Sequence, residues 1–77
     1  MTNEITIYKI TSEANFNSEF HTSTELASTT NLEKALEIVR TMSTEPVVNN
    51  EDGSFSIGHP SDTSAHRFDI RPILISF

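Results

Sequence analysis

Seventy-seven residues with a formal net charge of −6 and no cysteine suffice for one domain over residues 1–77, because so short a chain cannot stabilise two separate cores. The absence of cysteine excludes disulfides, thiolate catalysis and sulfur-ligated zinc. The acidity disfavours direct contact with DNA or RNA, since like charges repel along a phosphate backbone. Leu, Ile, Val and Phe make up 20 of the 77 residues, about 26%, above the rough 20% level below which chains tend to stay disordered.

Charge is unevenly spread. Residues 1–62 hold ten acids against three bases, whereas residues 63–77 hold Asp69 against Arg67 and Arg71. The segment Met1-Thr2-Asn3-Glu4 has no basic or apolar leader character, and the longest apolar run, Ile73-Leu74-Ile75, is too short to span a bilayer. A soluble, cytoplasmic protein is expected, without membrane attachment.

Ile5 to Ile10 is rich in β-branched and aromatic residues and predicts a first strand. Phe16 to Leu26 alternates, with Phe16, Phe20 and Leu26 on one parity and Asn17, Glu19, His21, Ser23 and Glu25 on the other. That pattern predicts a half-buried second strand, with Thr11 to Asn15 as the intervening loop.

Thr30-Asn31-Leu32-Glu33 matches a capping box and predicts a helix from Thr30 to about Met42. Leu32, Ala35, Leu36, Val39 and Met42 form its apolar stripe, with Glu33, Lys34, Glu37, Arg40 and Thr41 opposite. Glu45-Pro46 stops it, because a residue before proline is driven towards extended geometry.

Val47 to Asn49 and Ser54 to Ile57 flank Asn50-Glu51-Asp52-Gly53, whose Asp-Gly pair is suited to the positive φ of a tight hairpin. Gly58 to His66 lacks large apolar residues and reads as a loop. In the final run, Arg67 to Phe77, Phe68 and Ile70 share one parity and Ile73, Ile75 and Phe77 the other. Pro72 at the switch predicts a bulge or an edge strand.

These elements predict an α+β fold of order β-β-α-β-β-β: an antiparallel sheet of four to five strands with one helix packed on one face. The expected core is Ile5, Ile7, Phe20, Leu32, Leu36, Val39, Phe55, Ile57, Phe68, Ile70 and one parity of the final run.

Chemistry-bearing residues are sparse. His59, Asp62 and His66 have the right types for zinc or iron, but the histidines are not at the i, i+4 spacing that puts two ligands on one helix face, and a Ser-rich loop that turns a corner is the expected reading. Glu51 and Asp52 belong to the predicted turn. Two glycines, Gly53 and Gly58, are too few for a phosphate-binding loop. No catalytic residue, metal or cofactor is expected.

The expected function is a small acidic protein-binding module, not an enzyme. It would be an inhibitor or adaptor docking on a basic protein surface, such as that of a nucleic-acid-handling complex. The docking residues would be Glu19, His21 and Glu25 on the second strand and Glu33 and Glu37 on the helix. In size, acidity and lack of a catalytic constellation the chain is similar to small phage-encoded inhibitors, including anti-CRISPR proteins; no shared motif carries that likeness. The alternative is a structural homodimer joined through Ile73, Ile75 and Phe77 of the last strand. A small metal-dependent enzyme using His59, Asp62 and His66 is the remote third reading.

Overall fold

In the computed structural model, which describes residues 3–15 and 18–77, the chain runs β1 (Glu4–Ala14), β2 (Thr22–Thr29), α1 (Leu32–Arg40), β3 (Val47–Asn49), β4 (Phe55–Gly58) and β5 (His66–Ser76). All strands join one antiparallel sheet of order β2-β1-β5-β4-β3. The fold is therefore α+β with the expected element order. Its spine is the β1–β5 pair, in register over eleven residues from Glu4↔Ser76 to Ala14↔His66.

β1 is longer than the apolar pattern indicates and continues through Thr11–Ala14, the predicted loop. Those residues pair with the polar start of β5 on one side and the Thr-rich β2 on the other. Their main-chain groups gain ladder bonds that a loop would leave to water. The turn lies later: Asn15 takes a positive φ of 57°, its carbonyl accepts from the Ser18 amide, and the Ser18 carbonyl accepts from the His21 amide. β2 consequently starts at Thr22, residues 18–21 of the predicted strand fall in the turn, and Phe20 sits there at 71% exposure. Phe16 and Asn17 lie outside the described residues. The pairing with β1 shifts between Ile10 and Thr11, which leaves Leu26 as the extra residue of a bulge.

The helix is capped by Asn31 and not Thr30. Asn31 is extended (φ −125°, ψ 121°), and its Oδ1 accepts from the Glu33 amide at 2.8 Å. Asn is at least as good an N-cap as Thr, and β2 already occupies the chain through Thr29, so the start falls one residue late for the predicted capping box. At the other end the Thr41 hydroxyl donates to the Ile38 carbonyl at 2.7 Å. Arg40 folds over the departing chain and donates to the Glu45 carbonyl at 2.7 Å. Buried Ser43 ties that exit to the sheet, donating to the Gly58 carbonyl at 2.7 Å.

The helix stripe behaves as expected. Ala35 and Val39 are buried, with Leu32, Leu36, Ile38 and Met42 half-buried around them. They close over Ile10, Ile57, Phe68 and Ile70, which supply the sheet's share of the core. Three predicted core members are corrected: Ile5 is 38% exposed and Phe20 is 71% exposed, and half-buried Ile7 lies outside the cluster beneath the helix. Ile10, absent from the expected core, is fully buried in their place.

In the β3–β4 hairpin the positive φ falls on Glu51 (68°) and Gly53 (92°), not on an Asp-Gly pair. Asp52 instead accepts from the Ser54 amide and hydroxyl, and the Asn50 amide closes the loop on the Ser54 carbonyl at 3.0 Å.

Candidate functional site

Side chains alternate across a strand, so the β1–β5 register sorts the sheet into two faces. The even-numbered pairs Ile10↔Ile70 and Ser12↔Phe68 lie under the helix with the core. The odd-numbered pairs Ile5↔Ile75, Ile7↔Ile73, Lys9↔Arg71, Thr11↔Asp69 and Glu13↔Arg67 look out from the other face. Within β1 the apolar residues change parity between Ile7 and Ile10, and within β5 between Ile70 and Ile73. The two switches face each other across the ladder at Tyr8↔Pro72. The β1–β5 pairing has no register shift there, so the bulge predicted at Pro72 is not what the parity change means. The apolar side chains themselves cross from the helix face to the open face.

Beyond Tyr8 and Pro72 the sheet narrows to two strands. β2 pairs with β1 only as far as Tyr8↔Thr29, and β4 with β5 only as far as Phe55↔Ile70. Residues 4–7 and 73–76 form an arm with both outer edges open among the described residues, continued by reciprocal amide bonds between Asn3 and Phe77 at 2.9 and 2.8 Å. That reciprocal pair fixes the hydrogen-bonding parity: odd residues of β5 face β1 and even residues face outward. The nitrogen of Pro72 therefore points to the outer edge, just past the end of β4, where no ladder bond is lost. On the open face the arm carries Ile5, Ile73 and Ile75 at 38–40% exposure, half-buried Ile7 and Phe77 at 71%.

The middle of the same face is polar and closed upon itself. Asp69, only 2% exposed, lies 3.1 Å from Arg67 Nε and 3.9 Å from an Arg71 nitrogen, and accepts from the Ser56 hydroxyl at 3.1 Å. Glu13, 8% exposed, meets His21 Nε2 at 3.1 Å. Burial pushes the Glu13 carboxyl up, but the Ser23, His21 and Thr11 side chains bonded to it outweigh that and hold it below the usual glutamate value. At the far end a groove of about 330 Å³ opens between Pro46, Val48, Ser56, Thr63 and Arg67. Glu45 also lines this groove, and Ser56 and Arg67 are engaged with Asp69 there.

The acidic residues expected to form one docking face are dispersed. Glu19 lies in the turn before β2, and His21 folds back onto Glu13. Glu25 is on the open face, where it pairs with Lys9 at 3.7 Å and accepts from Ser28. Glu33 and Glu37 are exposed on α1, across the sheet from Glu25, with Glu37 paired to Lys34 at 3.6 Å. Ile73, Ile75 and Phe77, by contrast, are gathered together. Their companions Ile5 and Ile7 were assigned to the core from sequence; the signal that identifies them is the matched pair of parity switches, legible only once β1 is paired with β5.

His59, Asp62 and His66 are occupied in shaping the β4–β5 loop. His59 Nδ1 meets the Ser61 amide and hydroxyl, and its ring stacks on Phe68 at 5.6 Å. Asp62 accepts from Ser64 and Ala65, while His66 Nδ1 accepts from the Asn15 amide. Among the described residues no three His, Asp or Glu side chains converge as metal ligands, and no helix is long and apolar enough to cross a membrane. Comparison with protein-family models, curated proteins and solved structures finds no match, so the functional reading rests on the chain's own residues.

Proposed function

We propose that this chain is a non-enzymatic protein-binding module whose contact surface is the open face of the β1–β5 arm. One observation carries the reading: five apolar side chains, Ile5, Ile7, Ile73, Ile75 and Phe77, share a face that no other element covers among the described residues. A two-stranded ribbon with an uncovered apolar face is marginal in water, and a contiguous apolar patch rimmed by polar residues is the ordinary mark of a protein interface. The acids, spread over both sides of the sheet, then act as a solubilising and steering field and not as the contact itself.

The test is retention on immobilised chain. Wild-type protein retains a partner, a second copy or another protein. Ile73→Lys/Ile75→Lys, checked for folding by circular dichroism, loses it, while Glu19→Lys/Glu25→Lys keeps most of it at physiological salt. Retention by the arm variant equal to wild type overturns the reading, and loss confined to the acid reversal restores the acidic-face mechanism.

A further inference from the structure

We infer that the open face of the arm is covered by a second copy of this chain, stacked face to face about a two-fold axis with the two arms running in opposite directions. This rests on the reading that the arm is the contact surface, and goes beyond it by naming the occupant and its orientation.

The patch is two strands wide and bounded on its inner side by a row of cations, Lys9↔Arg71, each with a carboxylate on one side, Glu25 at 3.7 Å and Asp69 at 3.9 Å. A matching cover must be flat, narrow and apolar, without a cation over that row. A second copy of the same patch meets these conditions in one orientation only. If the two-fold axis runs along the strands, Ile5 faces Ile75 of the other copy, but Lys9 then faces Arg71 and like charges are buried together. If the axis runs across the strands, each arm reverses over the other. Ile5 then faces Ile7 of the second copy, Ile75 faces its Ile73, and Arg71 lies over the ring of its Phe77, where a guanidinium is attracted to the aromatic face.

Joining the copies edge to edge is the poorer solution. The outer edge of β5 begins at Pro72, which has no amide hydrogen to offer, and lengthening the sheet sideways leaves every isoleucine of the patch exposed, now doubled. Stacking removes them from water at the usual separation of about 10 Å between sheets. Because Ile5, Ile73 and Ile75 are each already some three-fifths buried, the area lost on both copies together is on the order of 1,000 Å², at the low end for specific interfaces. The dimer should therefore dissociate on dilution through the micromolar range.

Sedimentation velocity of the full chain from about 1 to about 200 µM tests this. Wild type passes from monomer to dimer mass. Ile5→Lys/Ile75→Lys stays monomeric, with its dissociation constant raised at least about tenfold. Leu74→Lys, on the other face of the same arm and at a residue 61% exposed, dimerises as wild type does. Since the chain has no cysteine, mixing Ile5→Cys with Ile7→Cys under mild oxidation reports the orientation: the mixed disulfide exceeds the Ile5→Cys self-disulfide several-fold. Wild type monomeric throughout, dimerisation surviving Ile5→Lys/Ile75→Lys, or a predominant self-disulfide overturns the inference. A monomeric wild type whose retention of another protein is still lost in the arm variant refutes the second copy alone; an arm variant that retains everything refutes the docking reading as well.

Discussion

Ile70 and Ile73 are three residues apart on one strand and chemically identical, yet they should respond to truncation very differently. Ile70 is fully buried between its cross-strand neighbours Ile10 and Phe55 and beneath the helix. Ile70→Ala removes three carbons worth about 0.8 kcal/mol each on transfer and leaves a cavity that the packed surroundings fill only in part, for a total of about 3–4 kcal/mol. A domain of this length has about 4–12 kcal/mol in all, so the variant should be close to unfolding. Ile73 is 40% exposed on the other face; Ile73→Ala forfeits only the buried part and opens no cavity, about 1 kcal/mol. Urea denaturation at about 1 µM, where mass action suppresses self-association, reads the contrast as a midpoint loss of roughly 3 M against 1 M for a slope near 1 kcal/mol/M. Ile70→Val, costing about 0.5–1.5 kcal/mol, gives a second point if Ile70→Ala does not fold. Equal losses for the two alanine variants would show that both isoleucines lie in one core and would refute the face switch.

Three further outcomes follow from the geometry. Asn31→Ala should cost about 0.5–2 kcal/mol in the same melts and Thr30→Ala much less, because only the Asn31 side chain accepts from a first-turn amide; the reverse order would return the cap to Thr30. Asp69→Ala should cost about 2–3 kcal/mol, less than the 3–5 of a fully buried pair, since it leaves Arg67 and Arg71 facing each other with side chains 35% and 54% exposed; a change within 0.5 kcal/mol would mean the network adds nothing. Glu13 is held below its ordinary 4.5, the hydrogen bonds from Ser23, His21 and Thr11 outweighing the upward push of burial. A depressed folded value stabilises the protein above the unfolded one, and that contribution is lost as pH falls from about 4.5 through the folded value. The stability gap between wild type and Glu13→Gln should thus narrow in acid, and a gap constant from pH 7 to pH 3 would contradict the assignment.

Much of the fold is local enough to be read from the chain. The helix stripe Leu32, Ala35, Leu36, Val39, Met42 and the alternation around Phe55 and Ile57 depend on one element at a time, and they fall where periodicity puts them. What periodicity cannot convey is which parity of a strand meets the helix. Ile5 and Ile7 look as core-like as Ile10; only the pairing of β1 with β5, across more than fifty residues of sequence, shows that the helix covers Ile10 and Ile70 and stops short of the arm. The same long-range pairing turns the polar Thr11–Ala14 from a loop into a strand. It also explains Pro72 without a bulge, as a residue whose missing amide hydrogen falls on an open edge. The expected acidic ladder failed for a local reason: the turn at Asn15 and Ser18 consumes Glu19 and His21 before β2 begins.

The arm's open face as the contact surface can be examined residue by residue with isoleucine methyl labels. Ile5, Ile7, Ile73 and Ile75 lie on that face, and Ile10, Ile57 and Ile70 lie beneath the helix. Methyl resonances followed on dilution from about 200 µM to about 5 µM should shift progressively for the first four and hold still for the other three. Shifts confined to Ile10, Ile57 and Ile70, or four arm isoleucines unmoved while the chain associates, would contradict the account.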